Sequence, residues 1–295
     1  MAMRFDGRVA LVTGAGRGLG RAYAEFLGAR GATVIVNNRV HADRPPAAEA
    51  VAAAIRAAGG NAVADGHAVE SAEGAKAMVD GAYERFGRLD ILINNAAVSQ
   101  DRMPFEEMSL DMHRQNMDIN YWGAAYLVHA ALPRMKAAGY GRVVFTTSTA
   151  GLFGQIGMTS YAATKTAVLG LMRCLALENA DANLRFNAIS PFAVTNDKVE
   201  KIVPAPLRDR MGPDKVAPMV GWLCSEQCTQ NAMIFFAGGG RYRRDVMAEG
   251  PRVDFDGDDL SPVISDIEST AALEPRKHSG VAGIKLIPEL AAKNS

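Results

Sequence analysis

The sequence predicts an α/β domain: a single doubly wound parallel sheet of about seven strands with helices on both faces. Three observations point to it. Short apolar runs with few polar positions alternate with helical stretches, as in sheets covered on both faces. The first run leads through a glycine-rich turn straight into a helix. Of the 295 residues, 48% are hydrophobic, ample for one large core. Residues 1–240 are expected to form this domain, and 241–295 a C-terminal extension packing on it or on a neighbouring subunit.

Arg8–Thr13 (RVALVT) reads as the first strand. A helix from about Gly18 to Arg30 follows, and Gly31 stops it. Thr33–Asn37 is rich in β-branched residues and is the second strand. Pro45-Pro46 marks a loop, then Ala47–Ala58 is an alanine-rich helix ended by Gly59-Gly60. Asn61–Ala64 is a short third strand, Ser71–Phe86 a helix closed by Gly87, and Leu89–Asn94 the fourth strand. Ser109 can cap a long helix to about Ala137. Arg142–Thr147 is the fifth strand, Ser160–Asn179 a helix, and Leu184–Ile189 the sixth strand, with Pro191 ending it. Thr195–Met211, charged and interrupted by proline, suits a flap. Gly212–Cys228 reads as helical and Met233–Phe236 as a seventh strand, after which Gly238-Gly239-Gly240 closes the domain. Ser261-Pro262 can start a short helix through Thr270.

A formal net charge of 0 gives no support to nucleic-acid or membrane-surface binding. No apolar run approaches the ~20 residues of a membrane span. The start, MAMRFDGRVALVTG, carries Arg8 and lacks a signal-peptide layout. The end, AAKNS, is not a peroxisomal S-K-L address. A soluble, cytoplasmic protein is the expectation. Cys174, Cys224 and Cys228 make no disulfide framework; Cys224 and Cys228, in WLCSEQC, read as buried thiols rather than metal ligands. Asp254, Asp256, Asp258 and Asp259 resemble half a calcium loop. However, Asp259 stands where glycine is needed and Ser265 where glutamate is needed. His41, His113, His129 and His278 have no partner pattern, so no metal is expected.

Thr13-Gly14-Ala15-Gly16-Arg17-Gly18-Leu19-Gly20 joins the first strand to the first helix, the context a dinucleotide loop requires. Gly14 permits the tight turn. Gly18 and Gly20 let a pyrophosphate approach the helix N-terminus, where free N–H groups and the dipole favour anions. Further along, STAGLFGQIGMTSYAATK carries Ser148, Tyr161 and Lys165. Tyr161 and Lys165 are i and i+4, on one helix face. A free phenol ionises near pH ~10. A cation about 4 Å away is worth about 4 kcal/mol at an effective dielectric of ~20, enough to bring the phenol near working pH. Ser148 can hold a substrate oxygen beside it. Alone, such a pair is equally at home on a solvated face.

The glycine spacing G-x-x-x-G-x-G, Asn94-Asn95-Ala96-Ala97 at the end of the fourth strand, and Tyr161-x-x-x-Lys165 after Ser148 occur together. By these motifs the chain from about Phe5 to Gly240 resembles the classical short-chain dehydrogenase/reductase family. RFDGRVALVTGAGRGLGRAYA, DRMPF and WLCSEQC look like the hydroxyacyl-CoA dehydrogenase part of peroxisomal multifunctional enzymes. The resemblance implies a Rossmann-like fold and NAD(P)-dependent interconversion of a secondary alcohol and a ketone. By the same resemblance Tyr161 is the proton donor or acceptor, and Lys165 lowers its pKa and holds the nicotinamide ribose. Ser148 orients the carbonyl, and Asn120, in MDINYWG, holds a water of the proton relay. Cofactor contacts are implied at Gly14, Gly16, Arg17, Gly18, Leu19, Gly20, Asn38, Arg39, His67, Ala68, Asn94, Ala96, Pro191 and Val194, besides Tyr161 and Lys165. Three positions depart from the family pattern: Ala97 replaces the glycine of N-N-A-G, Phe192 the glycine after Pro191, and Met158 a glutamine frequent in acyl-thioester members.

NAD-using members end the second strand on a carboxylate that accepts from the ribose 2′-OH. Here Val36-Asn37-Asn38-Arg39 has none at Asn38, and Arg39 with Arg17 suits a 2′-phosphate. NADP(H) is favoured, with NAD(H) the alternative and two solvated arginines the bland reading. Met103, Phe105, Phe153, Met158 and Phe192 fall at the carboxyl ends of strands four to six, where open sheets hold ligands. With Ser148 and Tyr161 they suggest a hydrophobic substrate: a 3-hydroxyacyl or 3-oxoacyl thioester, or a sterol or cyclic ketone. The competing function is a catalytically silent, nucleotide-binding family member serving as sensor or scaffold; dehydratase or epimerase chemistry is a third. Retention of all four catalytic residues favours the enzyme. Ala125, Leu132 and Met135 on one helix, with Leu169, Met172 and Cys174 on another, suggest a homodimer or homotetramer pairing these helices across a two-fold axis.

Overall fold

The strands lie where the apolar runs place them. They are β1 (Val9–Val12), β2 (Thr33–Asn37), β3 (Asn61–Asp65), β4 (Ile91–Asn94), β5 (Gly141–Thr146), β6 (Leu184–Phe192) and β7 (Ile234–Gly238). Parallel pairing joins them in the order β3-β2-β1-β4-β5-β6-β7. The computed structural model describes residues 3–40, 45–195, 197–250, 252–258, 260–270 and 273–275; His41, His278 and Asp259 lie outside them. The chain divides into two units, Met1–Arg244 and Asp245–Ser295.

Helices α1 (Gly18–Gly28), α2 (Ala47–Ala57), α3 (Ala72–Phe86), α4 (Leu110–Met117), α5 (Gly123–Ala137), α6 (Thr149–Phe153), α7 (Thr159–Glu178), α8 (Asp197–Ile202) and α9 (Ala217–Cys224) connect the strands. The period of two along each strand divides the core. Ala10, Val12, Val34, Val36, Ile91 and Ile93 pack with α1, α2 and α9. Val9, Leu11, Ile35, Leu92, Val143 and Phe145 pack with α3, α5 and α7. Both faces are therefore dry, and the strands carry no polar alternation. Strand order reverses between β1 and β4, so the crevice for a ligand opens at the carboxyl ends of those strands.

Several elements differ from expectation. The helix from Ser109, whose Oγ accepts from Met112 N at 3.2 Å, is a rod in three parts. α4 passes through a π turn over Asp118–Trp122, where Gly123 N–H reaches Asp118 O, before α5 continues. β6 runs on through Pro191, because β5 has already ended at Thr146 opposite Ile189, and the missing proline N–H costs no ladder bond on that side. The helix expected from Gly212 is shortened to α9 behind a 3-10 turn at Pro213–Lys215, with Pro218 in its first turn. Finally the sheet does not close at Gly240. Gly239 and Gly240, with φ of 59° and 73°, make a two-residue turn into β8 (Arg241–Asp245), an eighth strand. So short a connection reverses the chain, making β8 an antiparallel edge. Its charge, in RYRRD, hid it from a pattern search and also guards an open edge against pairing.

Thr195–Met211 contains α8 and a 3-10 turn at Ala205–Met211, and Val194 N donates to Met211 O at 2.7 Å across its base. Met135, Leu169 and Met172, expected at a subunit contact, are at most 2% exposed and fill the core of the first unit. Ala125 and Leu132 are half-buried and Cys174 is exposed. Cys224 and Cys228 are buried free thiols. In the second unit β9 (Ala248–Glu249) pairs antiparallel with β10 (Glu274–Pro275), and the helix expected through Thr270 is the single turn α10 (Ile264–Ile267). Among the described residues no helix is long and apolar enough to cross a membrane.

Candidate active site

The glycine loop between β1 and α1 is shaped by what its neighbours exclude. Gly14 has φ of 61°, and a Cβ there would meet Ala96 Cα at 2.8 Å. A Cβ on Gly16 would lie 2.9 Å from Asn38 Cγ, and one on Gly20 2.5 Å from Gly14 O. Thr13 staples the loop to the end of β4: its Oγ1 accepts from Asn95 N and Ala96 N, both at 3.0 Å. Asn95 Nδ2 returns a bond to Thr13 O at 2.8 Å. Arg17, the residue before α1, is extended and does not cap the helix with its side chain. The first-turn N–H groups of α1 are thus left for an anion beside a concavity that only glycine can line. Leu19 packs on the core beneath. A dinucleotide pyrophosphate fits this cradle.

At the end of β2, Asn37 is buried and donates to Asp65 Oδ1 at 2.7 Å and to His67 O at 2.9 Å. Asp65 also accepts from His67 N and meets its Nδ1 at 2.9 Å. That network fixes the His67-Ala68 turn. Arg17, Asn38 and Arg39 line one cleft with Val40 and Pro45–Ala47. Within it Arg39 is ion-paired with Glu70, a partner its own sequence context does not reveal. Asn94 is 6% exposed, and both polar atoms of its side chain are buried without a partner among the described residues.

The stretch from Ser148 to Lys165 folds as α6 and α7. Ser148 caps α6, accepting from Ala150 N at 3.2 Å, and its hydroxyl acts to lower the pKa of Tyr161. Thr147 Oγ1 donates to Lys165 O at 2.7 Å, and Gly151 is pressed so closely on Lys165 that a Cβ would sit 2.7 Å from its carbonyl carbon. Lys165 is 2% exposed, and its Nζ donates to Thr146 O at 2.8 Å. One of three N–H donors is thereby used, which leaves a fit for ribose hydroxyls. Burial lowers its pKa to about 8.

One expectation is corrected here. The sequence leads one to expect that the lysine pulls the tyrosine pKa down. Instead burial pushes Tyr161 up, with only the Ser148 hydrogen bond acting the other way. The physical reason is aim: Lys165 Nζ lies over the Tyr161 ring, 5.5 Å from its centroid, and points to a backbone carbonyl.

Asn120 sits in the π turn, 3% exposed. Its Oδ1 accepts from Val98 N at 2.8 Å, and its Nδ2 donates to Val98 O at 2.9 Å and Thr164 Oγ1 at 3.1 Å. Both amide hydrogens are thus spent, one on the loop after β4 and one on α7. That loop is also joined to the loop after α6, Met103 N donating to Gly157 O at 3.2 Å, which brings Met103 beside Met158. Phe153, 71% exposed, and Phe192, 39%, stand open to solvent. So does Ile156 at 94%, a lone apolar residue close to Gly154 and Gly157 that no motif marks. Pro191 and Val194 follow on β6 and beyond it, at the base of the flap.

A family model described as short chain dehydrogenase matches residues 8–206. A short-chain type dehydrogenase/reductase of Mycobacterium tuberculosis is 36% identical over 95% of this chain and 98% of its own length. Peroxisomal multifunctional enzyme type 2 of Mus musculus is 40% identical over 81% of this chain, which spans only 32% of that relative. Among solved structures, a 7α-hydroxysteroid dehydrogenase complexed with NADH and 7-oxo glycochenodeoxycholic acid superposes with a TM-score of 0.72, at 31% identity over 80% of this chain and 95% of that one. Fold and site thus define a nicotinamide-dependent oxidoreductase on a doubly wound sheet. The chain belongs to the short-chain dehydrogenase/reductase family.

Proposed function

We propose that this enzyme interconverts a hydrophobic secondary alcohol and its ketone, with Tyr161 as the proton-transferring group. What supports the reading is Ser148 at the N-cap of α6 with Tyr161 and Lys165 four residues apart on α7, at the same carboxyl edge of the sheet as the glycine cradle. The bound nicotinamide dinucleotide supplies or accepts the hydride. Gly14 to Gly20 would hold its pyrophosphate and Lys165 its ribose. Ser148 orients the substrate oxygen against Tyr161. In reduction the phenol O–H gives its proton to that oxygen; in oxidation the phenolate takes it. Lys165, charged below about pH 8, is the neighbouring cation, its Nζ 5.5 Å from the Tyr161 ring centroid.

For the substrate we favour a 3-hydroxyacyl or 3-oxoacyl thioester, on the likeness to the multifunctional enzymes. A sterol or cyclic ketone is the second reading, favoured by the likeness to the hydroxysteroid dehydrogenase, whose complex contains a 7-oxo steroid. For the cofactor we favour NADP(H), because Arg17 and Arg39 share one cleft with no carboxylate at Asn38. The test is turnover of 3-hydroxybutyryl-CoA, cyclohexanol and a 7-hydroxysteroid with each nicotinamide, followed by cofactor absorbance. Oxidation of at least one supports the reading; a chain that binds cofactor and turns over none overturns it in favour of a sensor or scaffold.

A further inference from the structure

We propose that Asn116 is a second positioning residue of this site: with Asn120 it forms a two-rung clamp that sets loop 98–103 at a fixed distance from the helix bearing Tyr161. The inference rests on the oxidoreductase reading above for its link to turnover. Asn116 and Asn120 lie four residues apart in α4 and the π turn, and are 2% and 3% exposed. Each divides its two amide hydrogens in the same way. Asn120 gives one to Val98 O on the loop, at 2.9 Å, and one to Thr164 Oγ1 on α7, at 3.1 Å. Asn116 gives one to Gln100 Oε1 on the loop, at 2.6 Å, and one to Ser160 Oγ on α7, at 2.8 Å. The loop partners are two apart. The α7 partners are four apart, both buried, and they bracket Tyr161, whose carbonyl accepts from Thr164 Oγ1 at 2.8 Å.

A carboxamide is a costly way to fill a core position unless its hydrogens are needed. Here both are used, and they join two separate elements. The loop is fastened at Val98, at Gln100 and again at Met103, whose N–H reaches Gly157. The middle fastening governs how far Met103 can move from Met158 and Tyr161. Loss of Asn116 therefore widens the substrate cleft and leaves the glycine cradle as it is.

The experiment uses the full chain in three variants, Asn116→Ala, Asn116→Asp and Gln100→Ala. In Asn116→Asp, the Ser160 hydroxyl and a flipped Gln100 amide donate to the carboxylate, so the clamp is retained. Gln100→Ala removes only the loop side and guards against misfolding. Hydrogen exchange without ligand should rise about tenfold at residues 98–103 in Asn116→Ala and Gln100→Ala, stay near wild type in Asn116→Asp, and not change at residues 14–20. With 3-hydroxybutyryl-CoA and cyclohexanol, KM should rise about tenfold while the dissociation constant for NADPH holds within twofold. Unchanged exchange at 98–103, or exchange and NADPH affinity disturbed together across the molecule, overturns the clamp. A wild type that oxidises neither these two compounds nor a 7-hydroxysteroid counts against the proposed function, and the exchange pattern then decides the clamp by itself.

Discussion

Lys165 is the residue at which stability and function pull apart. Its ordinary pKa of 10.5 falls to about 8 in the fold because an ammonium is buried with one carbonyl for a partner. Below pH 8 both folded and unfolded chains carry the proton, and burial exacts its full cost. Between 8 and 10.5 only the unfolded chain holds it, so stability from this group rises with pH, by roughly 3 kcal/mol in all. Lys165→Met should therefore abolish turnover yet raise stability at pH 7, by a few kcal/mol less about 1 kcal/mol for the orphaned Thr146 carbonyl, and the gain should vanish above pH 10.5. Thermal melts of both proteins across that range check the sign. Arg39 gives a second test. Glu70 competes for it, so Glu70→Gln should tighten NADPH severalfold and leave NADH unchanged in fluorescence titrations. The residues of the glycine loop and the Ser148–Lys165 stretch were legible because each stands in one short run. Glu70, Gln100 and Asn116 were not. Their roles exist only when segments distant in the chain meet, and nothing in their own spacing signals a partner.

At the scale of elements, the seven parallel strands could be read because their apolar runs answer to burial on both faces. β8 and the π turn could not. Four charged residues in five mask an edge strand, and an i+5 bond leaves no trace in a helical period. The junction of α6 and α7 carries the sharpest element-level prediction. Gly151→Ala places a Cβ 2.7 Å from the Lys165 backbone, which cannot yield, so α6 must move and take its Ser148 cap with it. A loss of about 1–3 kcal/mol and at least tenfold in kcat is expected. Gly81→Ala, in α3 with nothing within 4 Å, should gain about 0.5–1 kcal/mol and leave kcat alone. Denaturant titration and steady-state kinetics on the pair separate the two outcomes.

The outer side of α5 and α7 is the face expected to pair between subunits. Met135, Leu169 and Met172 are buried inside, whereas Trp122, in the π turn before α5, is 44% exposed and stacked on Tyr126, and Leu177, near the end of α7, is 44% exposed. A homodimer or homotetramer through this face remains our expectation, and light scattering at micromolar concentration should return a multiple of the chain mass. Trp122→Glu should halve that mass or more. The proposed reaction depends first on one phenol. The most direct measurement is Tyr161→Phe: single-turnover and steady-state rates with the best substrate of the panel, beside the cofactor dissociation constant. The ring stays and the proton goes, so kcat should fall by at least a thousandfold while cofactor affinity stays within about threefold. A variant that retains near-normal kcat would contradict the account at its centre.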